Sequence, residues 1–323
     1  MKKIVLINIF VIIFLILFFE FTINFFKLSN LLGIQKGIIY NLNGTHYLKP
    51  NSTGEVFGEK VVTDKNGFRV PEKNFAYTGN KSFYIIGDST TFGPGIKEEQ
   101  TFIGLLRDRY LNINFYNSSV MGYQINHHIL NLKKINNFGQ IKKIIYFYTL
   151  NDVFNTSNIE DANVNKNNVS EGSFKLREIK IINLINKFLR GKSYLYLYIK
   201  GIATDPSKRW YSSVDKFYRE NTINFIKNDL EKIYNYSNSI NADLHVVVLP
   251  YEFQTRRCTL KNLVPQKKIT KILSNLQINY SDLTKDFCNL NKPNNYFLKF
   301  DPMHLSIRGH KFVYNLIQNE INF

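Results

Sequence analysis

From residue 82 to the C-terminus, short apolar runs alternate with segments of helical period. This alternation limits the possible folds more than any other feature. "SFYIIG" (82–87), "INFYNSSV" (113–120), "IKKIIYFYTL" (141–150), "LHVVVLP" (244–250) and "INYSDL" (278–283) are rich in β-branched and aromatic residues and read as strands. "EEQTFIGLLRDRYL" (98–111) sets Phe102, Leu105, Leu106 and Tyr110 on one helical face, and "INHHILNLKKINNF" (125–138) is a second helix. Further helices are expected near 214–239, 265–276 and 306–320. Strands separated by helices point to an α/β protein whose mainly parallel sheet is covered on both faces.

Open sheets of this kind hold their ligands at the carboxyl ends of the strands. Polar residues interrupt the apolar runs at those ends. Gly87-Asp88-Ser89 closes the first run, "NSSVMGYQ" (117–124) delivers Gly122 after the second, and "YTLNDV" (148–153) delivers Asn151 and Asp152 after the third. "FDPMHLSIRGH" (300–310) sets Asp301 three residues before His304, ahead of the last helix. A Gly-Asp-Ser turn alone equally well caps a helix; four such blocks gathered at one edge are more specific. Serine is a weak nucleophile and needs a base, which His304 supplies, while Asp301 holds the imidazole tautomer. The Ser89 and Gly122 N–H groups and the Asn151 amide are candidate donors to an oxyanion. Asp88 and Asp152 read as scaffold residues, and His127, His128 and His310 as packing or surface residues. "LPYEFQTRR" (249–257) brings Tyr251, Glu252, Gln254 and Arg256 to the same edge. They either line a substrate cleft or form an ordinary surface loop. The sequence has no CxxC pattern or Cys/His cluster, so neither a metal nor a cofactor is expected.

The blocks holding Ser89, Gly122, Asn151 and Asp301–His304 resemble, in order, those of the SGNH hydrolase superfamily, the GDSL-like esterases and lipases. "DKNGFRVPE" (64–72) and "TFGPGIKEEQTF" (91–102) are similar to extracytoplasmic members. The resemblance covers residues 60–323, with an interruption at 155–213. It implies a flavodoxin-like three-layer α/β/α sandwich, a catalytic Ser89, His304 and Asp301, and an oxyanion hole of Ser89, Gly122 and Asn151. One departure is Thr149, which stands where the family's third block often has glycine.

Before this domain, Lys2 and Lys3 precede "IVLINIFVIIFLILFF" (4–19), and apolar character continues to Phe26. About 20 such residues cross a hydrocarbon core as a helix. No small-residue cleavage site follows, so residues 1–26 read as a retained signal anchor. The lysines place the N-terminus in the cytoplasm and the rest outside a bacterial inner membrane. Residues 27–80 then read as a stalk and lead-in arm with a tight turn at Asn66-Gly67, and 81–323 as the catalytic domain. The 155–213 insertion follows a strand's carboxyl end and is either a lid or a helical hairpin packed on the core.

The net charge is +17, and nine Lys/Arg between Lys175 and Arg209 face only Glu178 and Asp205. That stretch suits anionic headgroups, an acidic glycan or a solvated face; nucleic acid is a poor partner outside a membrane. Cys258 and Cys288 can pair there. Three functions follow in order of preference. The first is a membrane-anchored serine esterase cleaving acyl esters, chiefly O-acetyl, of cell-envelope glycans. The second is an O-acetyltransferase supplied by a multi-spanning acyl-donor partner. The third is a non-catalytic glycan-binding protein, which would have no need of the full residue set.

Overall fold

The computed structural model describes residues 2–26, 28, 35–42, 45–154, 184–185, 188–189, 192–220, 223–301 and 303–323. Helix α1 (Lys2–Phe25) is long and apolar enough to cross a membrane, and its side chains from Ile4 to Phe19 that are large and apolar are all exposed.

The arm that follows is more structured than a stalk. Strands β1 (Gln35–Lys36), β2 (Ile39–Leu42), β3 (Thr45–Leu48), β4 (Thr53–Val56), β5 (Glu59–Thr63) and β6 (Arg69–Val70) form two small antiparallel sheets, β1-β4-β5-β6 and β2-β3. The turn between β5 and β6 contains Asn66-Gly67, and the Asp64 carboxylate accepts from the Asn66 and Phe68 N–H groups, each at 2.8 Å. Ile38, Leu48, Val56, Phe57 and Val61 of the arm share a buried cluster with Phe92, Val120, Met121 and Tyr123. Burial of those side chains fastens the arm to the domain.

The domain runs β7 (Lys81–Gly87), α2 (Ser89–Phe92), α3 (Phe102–Arg109), β8 (Ile113–Asn117), α4 (Ile125–Leu132) and β9 (Lys143–Thr149). It continues with α5 (Tyr194–Ala203), α6 (Pro206–Glu220), α7 (Asn224–Ser239), β10 (Asp243–Leu249), α8 (Glu252–Arg256), α9 (Val264–Asn275), β11 (Asn279–Asp282), α10 (Thr284–Cys288) and α11 (Ile307–Glu320). The five strands are all parallel in the order β8-β7-β9-β10-β11. Alternate side chains face opposite layers, as the period of a strand requires. Tyr84, Ile86, Ile144, Tyr146, Val246 and Val248 pack with residues of α4, α6, α7 and α9. Phe83, Ile85, Ile145, Phe147, Val247 and Leu249 pack with residues of α3 and α11. This is the flavodoxin-like three-layer sandwich.

Because the chain leaves β7 toward β8 and then crosses back to β9, the strand order reverses there. The crevice at that switch point is where such sheets take ligands. One local feature differs from the sequence expectation: the helix expected over 214–239 is two helices, α6 and α7. Of the 155–213 insertion, residues 155–183 lie outside the described residues. Cys258 and Cys288 are joined in a disulfide, Cα to Cα 5.8 Å.

Candidate active site

The position of Ser89, the candidate nucleophile, follows from the end of β7. Asp88 caps α2, its Oδ1 accepting from the Thr90 N–H at 2.8 Å, and this places Ser89 in the helix's first residue. The exit from α2 is held by the arm. Arg69, fully buried, donates to the carbonyls of Phe92, Gly93 and Ile96. Burial is the main reason its guanidinium is pushed down to about 10.

His304, the candidate base, sits on a closed loop. Phe297 bridges Leu305 at its neck, the Leu298 N–H donates to the His304 carbonyl at 2.8 Å, and the Thr90 hydroxyl donates to the Met303 carbonyl at 3.2 Å. The last bond joins this loop to the helix that carries Ser89. His304 Nδ1 lies 2.6 Å from Asp301 Oδ2. A carboxylate only accepts, so Nδ1 carries the proton and Nε2 is the basic nitrogen. Nε2 is buried and has no partner among the described residues. The Ser89 hydroxyl does not bond to it here; such bonds often close only in the reactive complex. Burial pushes the His304 pKa down, but the charge and hydrogen bond of Asp301, with the Asp88 charge, outweigh it and leave the pKa raised. The Phe57 ring stands edge-on to the imidazole at 5.6 Å between centroids.

The third set of groups faces the same crevice. The Ser89 and Gly122 N–H groups have no partner among the described residues. Gly122 has φ +76°, a conformation that side chains other than glycine rarely adopt. The Asn151 amide is held at both ends: Nδ2 donates to Asp88 Oδ2 at 2.9 Å, and Oδ1 accepts from the Tyr251 hydroxyl at 2.8 Å. Because Asp88 can only accept, the amide's orientation is set, with its second N–H left over. Thr149 Oγ1 donates to the same Asp88 oxygen at 2.9 Å, so this residue braces the block in which it replaces glycine. Asp152, whose pKa burial raises, accepts from the Tyr146 hydroxyl at 2.7 Å. Asp88 and Asp152 are both engaged inside the fold, as scaffold residues are.

The expected cleft residues are placed differently. Tyr251 is 1% exposed and reaches Asn151, with its hydroxyl on that amide instead of on an open surface. Gln254 is fully buried and bonds to Gln266, to the Asn262 carbonyl and to the Tyr251 N–H. Glu252 pairs with Arg256 at 2.9 Å, which in turn pairs with Asp205. Burial and these internal partners remove Glu252 and Gln254 from a substrate-facing position. His310 is buried with Nδ1 accepting from the Phe102 N–H, and His127 Nδ1 accepts from the Gln124 N–H. His128 is fully buried beside Asp152.

Sequence reasoning missed Phe57, Arg69 and His46, all from the arm. His46 Nε2 donates to the Met121 carbonyl at 2.5 Å, and its ring lies beside Gly122. The "DKNGFRVPE" block contains Arg69, and nothing in the sequence singled out Phe57 or His46. A cavity of about 470 Å³ lined by Phe75, Tyr77, Glu98, Arg107 and Leu111 touches none of the residues around Ser89.

No family profile matches the chain, and no curated protein is similar to it. Solved structures are similar in fold. A lipase/acylhydrolase from Enterococcus faecalis is 12% identical, with 75% of this chain and 95% of that one covered and a TM-score of 0.46. An acetylxylan esterase from Geobacillus stearothermophilus is 12% identical, covering 76% and 95%, TM-score 0.44. The esterase EstA from Pseudoalteromonas is 11% identical, covering 75% and 96%, TM-score 0.42. These likenesses are of fold; the order of the serine, glycine, asparagine and histidine blocks is what resembles the SGNH hydrolases. What the site can do is read from its own atoms.

Proposed function

We propose that this protein is a membrane-anchored serine esterase that removes small acyl groups, foremost O-acetyl, from cell-envelope glycans. One observation carries the reading. The basic nitrogen of an aspartate-held histidine is unpartnered at the sheet edge that also presents Ser89 and two free N–H groups.

In the reaction, Ser89 Oγ attacks the acyl carbon while its proton passes to His304 Nε2. The carbonyl oxygen becomes an oxyanion facing the Ser89 and Gly122 N–H groups and the spare Asn151 N–H. The C–O bond to the sugar then breaks, and its oxygen leaves with the proton from His304. Water next gives a proton to His304 and attacks acyl-Ser89, and Ser89 regains that proton as the carboxylic acid departs. Asp301 stabilises the imidazolium in both halves without itself taking the proton.

Support for a small acyl group comes from crowding. Ser89 and His304 are 8% and 5% exposed, and the Phe57 and His46 rings stand beside His304 and Gly122. Support for an envelope substrate comes from α1, which would hold the site at a membrane surface. The test is hydrolysis of 4-nitrophenyl acetate, with and without an acetylatable glycan whose mass is then measured. Ser89→Ala, a small change at the first residue of α2, should abolish turnover in a folded protein. A residual rate above a few per cent of wild type would show that Ser89 is not the nucleophile. Acetyl groups gained by the glycan in place of free acetate would make the protein a transferase.

A further inference from the structure

The aromatic helix α5 joins the apolar N-terminal helix to the loop that carries the base. At its start, Glu20 of α1 accepts three hydrogen bonds: from the Ser193 hydroxyl at 2.7 Å, the Tyr194 N–H at 2.6 Å and the Leu195 N–H at 3.1 Å. One turn further along α1, Ile23 is buried, in contrast to the exposed large apolar residues before it. At its other end, α5 seats the catalytic loop. The Phe300 ring lies so close over Gly201 that a Cβ there would stand 2.2 Å from it, and Tyr198 meets Phe300 edge-on at 5.7 Å. Phe300 directly precedes Asp301.

The contacts of Glu20 fix the depth of α5, provided α1 is the membrane anchor proposed above. Lys3 to Glu20 spans about 26 Å at 1.5 Å per residue, against a hydrocarbon thickness of about 30 Å. Glu20 therefore sits near the far boundary of the bilayer when Lys2 and Lys3 sit at the near one. Whatever hydrogen-bonds to Glu20 sits at the same level. A helix starting there meets lipid headgroups before it meets anything else.

The sequence of α5 suits that place. Leu197, Tyr198 and Gly201 turn toward the body, yet the other face is also apolar: Ile199 and Ile202 are 56% and 64% exposed. A helix apolar on both faces belongs in a core or against lipid. Lys208 is exposed, and the Lys299 ammonium rests over the Tyr198 and Phe300 rings at 5.1 and 5.3 Å, which places positive charge along the rim. Basic residues bordering an apolar helix face are the composition of an interfacial helix. We propose that α5 lies in the headgroup layer of the bilayer that α1 spans, with Ile199 and Ile202 turned into it, and so holds the catalytic loop at the membrane surface.

Trp210, early in α6, is the chain's single tryptophan and is 42% exposed, so its fluorescence reports this region alone. The full-length chain is reconstituted in vesicles of phosphatidylethanolamine and phosphatidylglycerol that carry a nitroxide either on the headgroup or near the acyl-chain end. The expected result is strong quenching by the headgroup label and weak quenching by the deep one. The Ile199→Glu/Ile202→Glu variant should float with the vesicles through α1 and lose most of the headgroup quenching. A wild-type chain that floats with Trp210 unquenched by either label overturns the proposal and leaves the anchor intact. A chain that does not float overturns the anchor and the proposal together. A double variant that hydrolyses a soluble ester normally but keeps wild-type quenching also overturns the proposal; if that variant fails to fold, the wild-type comparison still decides.

Discussion

Tyr251→Phe isolates a single interaction, because it deletes one oxygen and leaves the ring in its buried position. That oxygen donates to Asn151 Oδ1, while Asp88 holds the other end of the same amide. The variant therefore loosens the proposed oxyanion donor without removing it. A net hydrogen bond contributes about 1 kcal/mol, which is about fivefold in rate if the loosening appears wholly in the transition state. Asn151→Ala removes the donor itself and should cost about 3 kcal/mol, roughly a hundredfold or more. The assay is kcat and KM for 4-nitrophenyl acetate at one pH. Both variants should lose kcat with KM nearly unchanged, since the donor acts on charge that develops only after attack. The decisive measurement is Tyr251→Phe in an Asn151→Ala background, where it should have no further effect on kcat. The same fivefold loss in that background would mean that Tyr251 acts by another route. A rise in KM at constant kcat for Asn151→Ala would refute the oxyanion role.

Three further outcomes follow from the same structure. With neutral His304 as the proposed base, kcat/KM should fall as pH falls through a pKa above the usual 6.5; Asp301→Asn removes the charge that raises it most and should move this limb to lower pH, and an unmoved limb would detach Asp301 from His304. Reducing Cys258–Cys288 opens a loop of 30 residues and should lower unfolding free energy by about 3–4 kcal/mol in urea titrations, whereas an unchanged midpoint would show that the bridge adds nothing. Burial lowers His310 to about 3 and both His127 and His245 to about 4, so the unfolded chain binds more protons between there and 6.5. Stability should therefore drop on acidification through that window, and His310→Gln should flatten the slope; an unaltered slope would place the protonation elsewhere.

The central sheet was legible because a strand buried on both faces must be apolar at nearly every position, as "KIIYFYT" of β9 is. Ser89, Gly122, Asn151 and His304 were legible because each follows a strand or precedes a helix. The arm was not, because its strands are two to five residues long and partly exposed, with too few positions to show a period. Nor were the contacts that position the site. Tyr251 meets Asn151 across 100 residues, and Glu20 meets Ser193 across 173. Which polar groups meet at such separations depends on the folded backbone, so Tyr251 read as either a cleft or a surface-loop residue.

The site's two halves rest on different supports. Ser89, Gly122 and Asn151 leave the ends of adjacent parallel strands, where ladder hydrogen bonds and two packed layers fix the backbone. The Asp88 carboxylate links the first block to the third through Thr90, Thr149 and Asn151. His304 has no strand behind it. Its loop is pinned at the neck by Phe297–Leu305, braced by Phe57 of the arm and seated through Phe300 on Gly201 of α5. Neighbouring strands cannot shift independently, whereas a loop held by side-chain contacts can shift with whatever holds it. The missing bond between Ser89 and His304 lies at the boundary between these two halves. Changes in the sheet edge should therefore act on the oxyanion at every pH, while changes in α5 or the arm should act on the alignment of the base. The helix that touches both α1 and the catalytic loop is thereby placed to make the base, and not the oxyanion hole, the part of this site that responds to its surroundings.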